Sequence, residues 1–219
     1  HNVWSGDPAV GFGYGRVTDE FFAGDWDGDG IDTIGLRRGN RFYLRNENSS
    51  GRHEIAFTFG RNTDQVVVGD WNGDGIDTVG VHRGKRFHLI NEHRGGWADY
   101  SFGYGRRGDV PLAGDWDGDG TDTVGIKRGS EFHLTNAHKG GYANHKVIFG
   151  EPSDLGLTGD WDGDGKDTVG SRRGADVFLT DSLDGSISRT ATIGEAHDRV
   201  AVGDWDGDGT DTLAIRHMR

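Results

Sequence analysis

Gly24-Asp25-Trp26-Asp27-Gly28-Asp29-Gly30-Ile31-Asp32-Thr33 returns four times with almost no change, starting again at Gly69, Gly114, Gly159 and Gly203. The spacings are 45, 45, 45 and 44 residues. A fixed period of this size marks a repeat architecture in which each period is one supersecondary unit. On either side of the loop, each period holds four short runs suited to strands. In the second period, residues 65–68 lead into the loop, 78–81 follow it, 87–89 come after the turn at Arg83-Gly84, and 100–104 close the unit. Four strands in about 45 residues is the size of one propeller blade. The expected fold is all-β, a single five-bladed β-propeller spanning residues 1–219 with four-stranded blades.

The fifth period is divided between the chain ends. It has 17 residues from Gly203 to Arg219 and 23 from His1 to Ala23, five short of a repeat. By alignment Arg219 falls at the column of Lys85 and His1 at that of Asn91, so the gap is the third strand. The N-terminus is expected to give the outer strand (residues 9–14) and the C-terminus the inner two, closing the ring in one blade. The fifth blade is expected to be three-stranded unless residues 2–4 or trimmed residues fill the open slot.

The fourth run of each period ends in an apolar residue plus glycine, followed by an aspartate: Tyr14-Gly15 and Asp19, Phe59-Gly60 and Asp64, Tyr104-Gly105 and Asp109, Phe149-Gly150 and Asp154, Ile193-Gly194 and Asp198. A ring beside a residue without a side chain suits close packing where the chain crosses to the next blade.

Within the loop, oxygen-bearing side chains alternate at Asp25, Asp27 and Asp29, then a glycine permits a sharp turn and the next carbonyl can face inward. That is how a loop wraps a hard cation such as calcium. The alternative is a metal-free turn stapled by aspartates that bond backbone amides.

At these residues the chain resembles the FG-GAP family, the calcium-loop repeats of integrin alpha-subunit propellers, and the VCBS-type repeats of secreted bacterial proteins. The resemblance covers nearly the whole chain. The family loop reads Asp-x-Asp/Asn-x-Asp-Gly-x-x-Asp, with ligands at positions 1, 3, 5 and 9 and the carbonyl of 7. The resemblance therefore implies up to five calcium ions. The implied ligand sets are Asp25, Asp27, Asp29, Ile31 and Thr33; Asp70, Asn72, Asp74, Ile76 and Thr78; Asp115, Asp117, Asp119, Thr121 and Thr123; Asp160, Asp162, Asp164, Lys166 and Thr168; and Asp204, Asp206, Asp208, Thr210 and Thr212. The chain departs from the family at position 9, which holds threonine, with an aspartate one place earlier (Asp32, Asp77, Asp122, Asp167, Asp211). The closing ligand is a threonine hydroxyl, a water, or that aspartate after a local shift. The family's "GAP" is also replaced, by Gly-Asp-Trp.

The formal charge of -12 is local. The five loops hold 19 of the 36 acids, leaving 17 acids against 24 bases. Neither a basic protein partner nor nucleic acid is indicated. The chain has no cysteine, so no disulfide or thiolate chemistry is available. No apolar run approaches the roughly 18 residues of a membrane span, and no membrane insertion is expected. The chain opens on His1, which agrees with a processed secreted form or an excised piece of a longer protein.

The loop tryptophans (Trp26, Trp71, Trp116, Trp161, Trp205) recur in every unit and are expected to wedge between blades. Trp4 and Trp97 lie outside the repeat, and Tyr142 occupies the Trp97 column. Trp97 and Tyr142 follow paired glycines in a polar loop, with His93, Arg94, His138 and Lys139 close by to donate hydrogen bonds. They are candidate sugar contacts. His88 and His133 share a column with Tyr43 and Phe178 and read as inter-blade packing. The basic pairs Arg37-Arg38, His82-Arg83, Lys127-Arg128 and Arg172-Arg173 read as solvated bases, the alternative being a five-fold ring that holds anions.

The leading functional expectation is a secreted, calcium-binding, multivalent module for carbohydrate (lectin-like) or for a cell-surface or cell-wall ligand. The alternative is a calcium-stabilised protein-interaction scaffold from a larger secreted protein. A glycosidase-type enzyme is disfavoured, because that chemistry needs carboxylates in different environments, whereas here the acids repeat.

Overall fold

The computed structural model of the chain describes residues 11–217. These form four four-stranded antiparallel sheets and one two-stranded sheet, in a β-propeller arrangement. The first sheet is β1 (Glu20–Gly24), β2 (Thr33–Arg38), β3 (Arg41–Leu44) and β4 (Ile55–Thr58); the second is β5 (Gln65–Gly69), β6 (Thr78–Arg83), β7 (Arg86–Leu89) and β8 (Tyr100–Gly103). The third is β9 (Val110–Gly114), β10 (Thr123–Arg128), β11 (Glu131–Leu134) and β12 (His145–Ile148); the fourth is β13 (Leu155–Gly159), β14 (Thr168–Arg173), β15 (Asp176–Leu179) and β16 (Arg189–Thr192). The fifth pairs β17 (Arg199–Gly203) with β18 (Thr212–Arg216). The four runs expected in the second period thus coincide with β5 to β8. The expected outer strand of the fifth blade is not formed at residues 11–14, and the rest of that segment, like residues 2–4, lies outside the described residues.

Burial explains the order of strands across a sheet. The first strands, β1, β5, β9, β13 and β17, contact one another around the centre. Among the second strands β6, β10 and β14 are buried on both faces, as β6 shows from Thr78 to His82, and the third strands alternate, with Phe87 and Leu89 inward. The fourth are edge strands with one fully buried residue at most, Phe102 in β8. The core lies between sheets. Trp26, Phe42, Leu44, Phe57 and Phe59 of one unit pack on Val79 and Val81 of the next, and Trp71, Phe87, Leu89, Phe102 and Tyr104 pack in the same way on Val124 and Ile126. Trp26, Trp71, Trp116 and Trp161 are buried, as expected of wedges, while Trp205 is only half-buried.

At one end of the sheets the crossing to the next unit has a fixed chemistry. Gly60 turns with φ at +67°, and a Cβ there would stand 3.0 Å from both Val81 methyls. Four residues later Asp64 accepts the amide of Arg61 at 2.8 Å and both Arg83 Nε and Nη2, at 2.8 and 2.6 Å. Asp19 with Arg38, Asp109 with Arg128 and Asp154 with Arg173 repeat the arrangement, and in the fifth sheet His217 Nδ1 meets Asp198 Oδ2 at 3.0 Å. At four of the five positions the other base reaches across to carbonyls of the following unit: Arg37 to Asp64, Lys127 to Glu151 and Pro152, Arg172 to Asp198, and Arg216 to Asp19; His82 instead packs on Phe87 and meets Gln65 Oε1 of its own sheet. The arginines and the lysine of these pairs are therefore clamps and not solvated bases, and His82 is buried. Buried turn carbonyls and aspartates need donors, and the pairs supply them.

Candidate metal loops and exposed aromatic loops

The β1–β2 and β3–β4 connections of a sheet emerge at the same end, because alternate strands run in opposite directions. In the first loop the side chain of Asp25 gathers the backbone. Its Oδ1 accepts Gly28 N at 2.8 Å and Asp29 N at 3.2 Å, its Oδ2 accepts Gly30 N at 2.8 Å, and Asp29 Oδ1 accepts Ile31 N at 2.9 Å. Gly28 and Gly30 have φ of +77° and +82°, values that favour glycine. Asp70, Asp115, Asp160 and Asp204 repeat this geometry in the other loops.

The amide staple and a cation are compatible, since each carboxylate oxygen has more than one lone pair. One oxygen from each of Asp25, Asp27 and Asp29 lies within 4.8 Å of the others, as do those of Asp115/Asp117/Asp119, Asp160/Asp162/Asp164 and Asp204/Asp206/Asp208. Oxygens at about 2.4 Å from one calcium ion stand no farther apart than that. Burial and the neighbouring Asp29 and Asp25 raise the Asp27 carboxyl above its ordinary range, and Asp162 is raised in the same way by burial and Asp164. The donor set therefore fits a hard divalent cation that would relieve this repulsion.

The structure engages both protein candidates for the closing ligand elsewhere. Thr33 is buried and donates its hydroxyl to Arg45 O at 2.6 Å; Thr78 donates to Ile90 O and Thr168 to Thr180 O, each at 2.5 Å. The aspartate before it turns away from its own loop. Asp77 Oδ2 accepts Asp25 N at 2.9 Å, and Asp77 N donates to Asp25 O at 2.7 Å, a two-bond clasp between successive units. Asp122 clasps Asp70, Asp167 clasps Asp115, Asp211 clasps Asp160, and Asp32 of the first unit clasps Asp204 of the fifth.

These five aspartates line a cavity of about 320 Å3 at the centre of the molecule. Desolvation first, and then the charges of neighbouring aspartates, push the carboxyls of Asp32, Asp122 and Asp167 well above the usual range, and those of Asp77 and Asp211 up to about 7. Sequence reasoning singled out these residues only as metal ligands. Their partners lie 51 or 52 residues away within the chain, and 172 away for Asp32, beyond any local pattern.

Of the residues expected to contact sugar, Trp97 is 91% exposed and Tyr142 is 96% exposed. His93 and His138 do not join them. His93 Nε2 donates to Trp26 O at 2.9 Å and His138 Nε2 to Trp71 O at 2.8 Å, each ring set edge-on to that tryptophan. Burial lowers both histidines below their ordinary pKa, so they are neutral wedges between units and not surface donors. Arg94 stays at the surface, bonded to Trp97 O and to Asp99. Trp4 lies outside the described residues.

No protein-family model matches the chain, and no curated protein matches it. Among solved structures the chain is similar to an Agrocybe aegerita lectin studied for recognition of non-reducing terminal N-acetylglucosamine, with a TM-score of 0.47 and 15% identity over 89% of this chain and 73% of that one. It is also similar to a chain of the Photorhabdus luminescens Tc holotoxin pore, with a TM-score of 0.46 and 16% identity over 98% of this chain and 11% of that one.

Proposed function

We propose that the chain is a calcium-stabilised, closed five-bladed propeller that acts outside the cell as a multivalent, non-catalytic binding module, with glycans as its ligands. Trp97 and Tyr142 carry this reading. They are almost fully exposed, at the same position of successive blades, in a protein whose other large rings are mostly covered. Flat rings held out from a loop by preceding glycines suit the apolar face of a sugar. Stacking plus one or two hydrogen bonds gives about millimolar affinity per site, so binding rests on several sites engaged together.

Closure into five blades is supported by the clasp between Asp32 and Asp204 and by the bond from Arg216 to Asp19, which repeat at the last junction what the earlier junctions do. Membership in the FG-GAP and VCBS repeats, and an extracellular setting rich in calcium, belong to the same proposal; the recurring aspartate triads support them. A non-catalytic role is supported by the axial carboxylates, which repeat one environment with the same amide partner. Among the described residues no helix is long and apolar enough to cross a membrane.

A second reading, a protein-interaction scaffold, is favoured by Ile187, which is 58% exposed in the column of Trp97 and Tyr142. The test is retention on immobilised glycans and on microbial cell walls by the parent and by Trp97→Ala/Tyr142→Ala, with circular dichroism to establish folding. The expected outcome is retention by the parent and loss by the variant. Equal retention moves the assignment to the scaffold. For the metal, free calcium at about 100 times the dissociation constant adds about 2.7 kcal/mol per site, so EDTA is expected to lower the melting temperature. An unchanged melt after verified removal of metal returns the loops to simple turns.

A further inference from the structure

Three aspartates and one carbonyl leave a calcium loop short of the roughly six to eight oxygens the ion takes. A further oxygen comes from the end of the third strand. Asn46, Asn91, Asn136 and Asp181 occupy one column of the repeat, directly after residues 45, 90, 135 and 180. The carbonyls of Arg45, Ile90 and Thr180 receive the hydroxyls of Thr33, Thr78 and Thr168, so the threonine at position 9 pins this strand end against its own loop. The next backbone amide is fixed from the other side, with Asn46 N on Glu54, Asn91 N on Asp99 and Asn136 N on Asn144.

Three of these side chains approach position 3 of their loop. Asn136 Nδ2 donates to Asp117 Oδ2 at 2.6 Å, the Asn46 amide bonds Asp27, and Asp181 is among the charges acting on Asp162. In all four residues Oδ1 is buried without a hydrogen-bond partner. Four orphaned acceptors at one repeated position need a common explanation, because buried acceptors are as a rule satisfied. A cation in the loop supplies it once the asparagine oxygens are turned toward the loop, where Asn136 now presents Nδ2. The Asp181 carboxylate faces positive charge in place of Asp162 alone. A half-turn of each asparagine amide, which exchanges two groups of nearly equal shape, brings its oxygen next to the position-3 side chain as a neighbouring ligand.

We infer that Asn46, Asn91 and Asn136, through their carboxamide oxygens, and Asp181, through its carboxylate, are the closing ligands of the first four metal loops, and that the fourth loop is the tightest calcium site. The inference rests on the calcium reading above. The ranking follows from charge, since loops otherwise alike gain affinity with each anionic ligand. Threonine at position 9 then aims the closing ligand and does not coordinate.

The test is calorimetric titration of the metal-stripped full chain with calcium chloride, comparing the parent with Asp181→Asn and Asn136→Asp. Asp184→Asn, an exposed change of equal charge on the same loop, is the control. Asp181→Asn is expected to weaken the tightest class of site by about tenfold or more, and Asn136→Asp to tighten one weaker site by a similar factor. The control should leave both classes unchanged. A parent that binds calcium while Asp181→Asn, folded by near-ultraviolet circular dichroism, and Asn136→Asp both titrate as the parent overturns the inference and leaves the calcium reading intact. A parent that binds no calcium overturns both. If Asp181→Asn does not fold, Asn136→Asp decides alone, and unchanged affinity overturns the assignment.

Discussion

Thr78 places its hydroxyl on the carbonyl of Ile90 at 2.5 Å in a site where neither group meets water. Thr78→Val keeps the shape and strands that carbonyl, so a loss of about 2 kcal/mol is expected in denaturant unfolding. Thr78→Ser should recover much of it. Asp64 tests the opposite end of the sheet. Burial alone would raise its carboxyl, but the bonds from Arg83 and from the Arg61 amide outweigh it and hold the group below the ordinary range. A depressed acid adds stability above its unfolded pKa and loses it as pH falls through the folded one, so this contribution vanishes only below about pH 4. Asp64→Ala is expected to lose about 2 kcal/mol at neutral pH, since it leaves Arg83 and a backbone amide without their acceptor. The acid melts of parent and variant should converge.

The strand boundaries were legible in the sequence because apolar alternation and the 45-residue period agree with each other. The junctions between sheets were not. Arg37 and Lys127 lie near the ends of β2 and β10, next to a polar turn, and carbonyls that they reach belong to the next unit, so nothing nearby in sequence separates a clamp from a solvated base. His93 misled in the same way, since its loop is polar while its ring enters the seam beside Trp26. The aspartate triads were readable because all their atoms come from one short loop. At this scale the first glycine of the motif carries a clear expectation. A Cβ on Gly114 would stand 2.7 Å from Asp167 Oδ2 and 2.8 Å from the buried Trp116 ring. Gly114→Ala should therefore part the clasp between the loop of the third sheet and Asp167 of the fourth, with a loss of about 2 kcal/mol on thermal unfolding. Gly30→Ala would make a poor comparison, because it adds strain at positive φ without touching the junction.

Across the whole molecule the axial aspartates set a pH dependence of the opposite sign to that of Asp64. Burial, against the help of a backbone amide, lifts the Asp77 carboxyl to about 7 in the folded protein, and Asp211 behaves alike. The unfolded groups titrate near pH 4. The folded state thus holds protons that the unfolded state has released, and the stability linked to these groups is full below about pH 4 and declines as pH rises through about 7. In EDTA the protein should melt at a higher temperature at pH 5 than at pH 8. Asp77→Asn, which keeps an acceptor for the Asp25 amide, should flatten the difference. A melt that rises from pH 5 to pH 8 would show that the axial carboxylates ionise without penalty.

The clasp from each loop aspartate to the neighbouring loop is the same bond pair at every junction, from Asp25 with Asp77 to Asp204 with Asp32. Such junctions carry no address. A folded unit cannot distinguish its own neighbour from the equivalent unit of another molecule, and only the short connection between them enforces the order. On refolding from denaturant, units meet partners in proportion to local concentration, and exchange between chains becomes a kinetic trap. Refolding at about 100 µM should leave interlocked dimers and larger species that are scarce at about 1 µM, with native circular dichroism in both, because the foreign contacts are chemically the native ones.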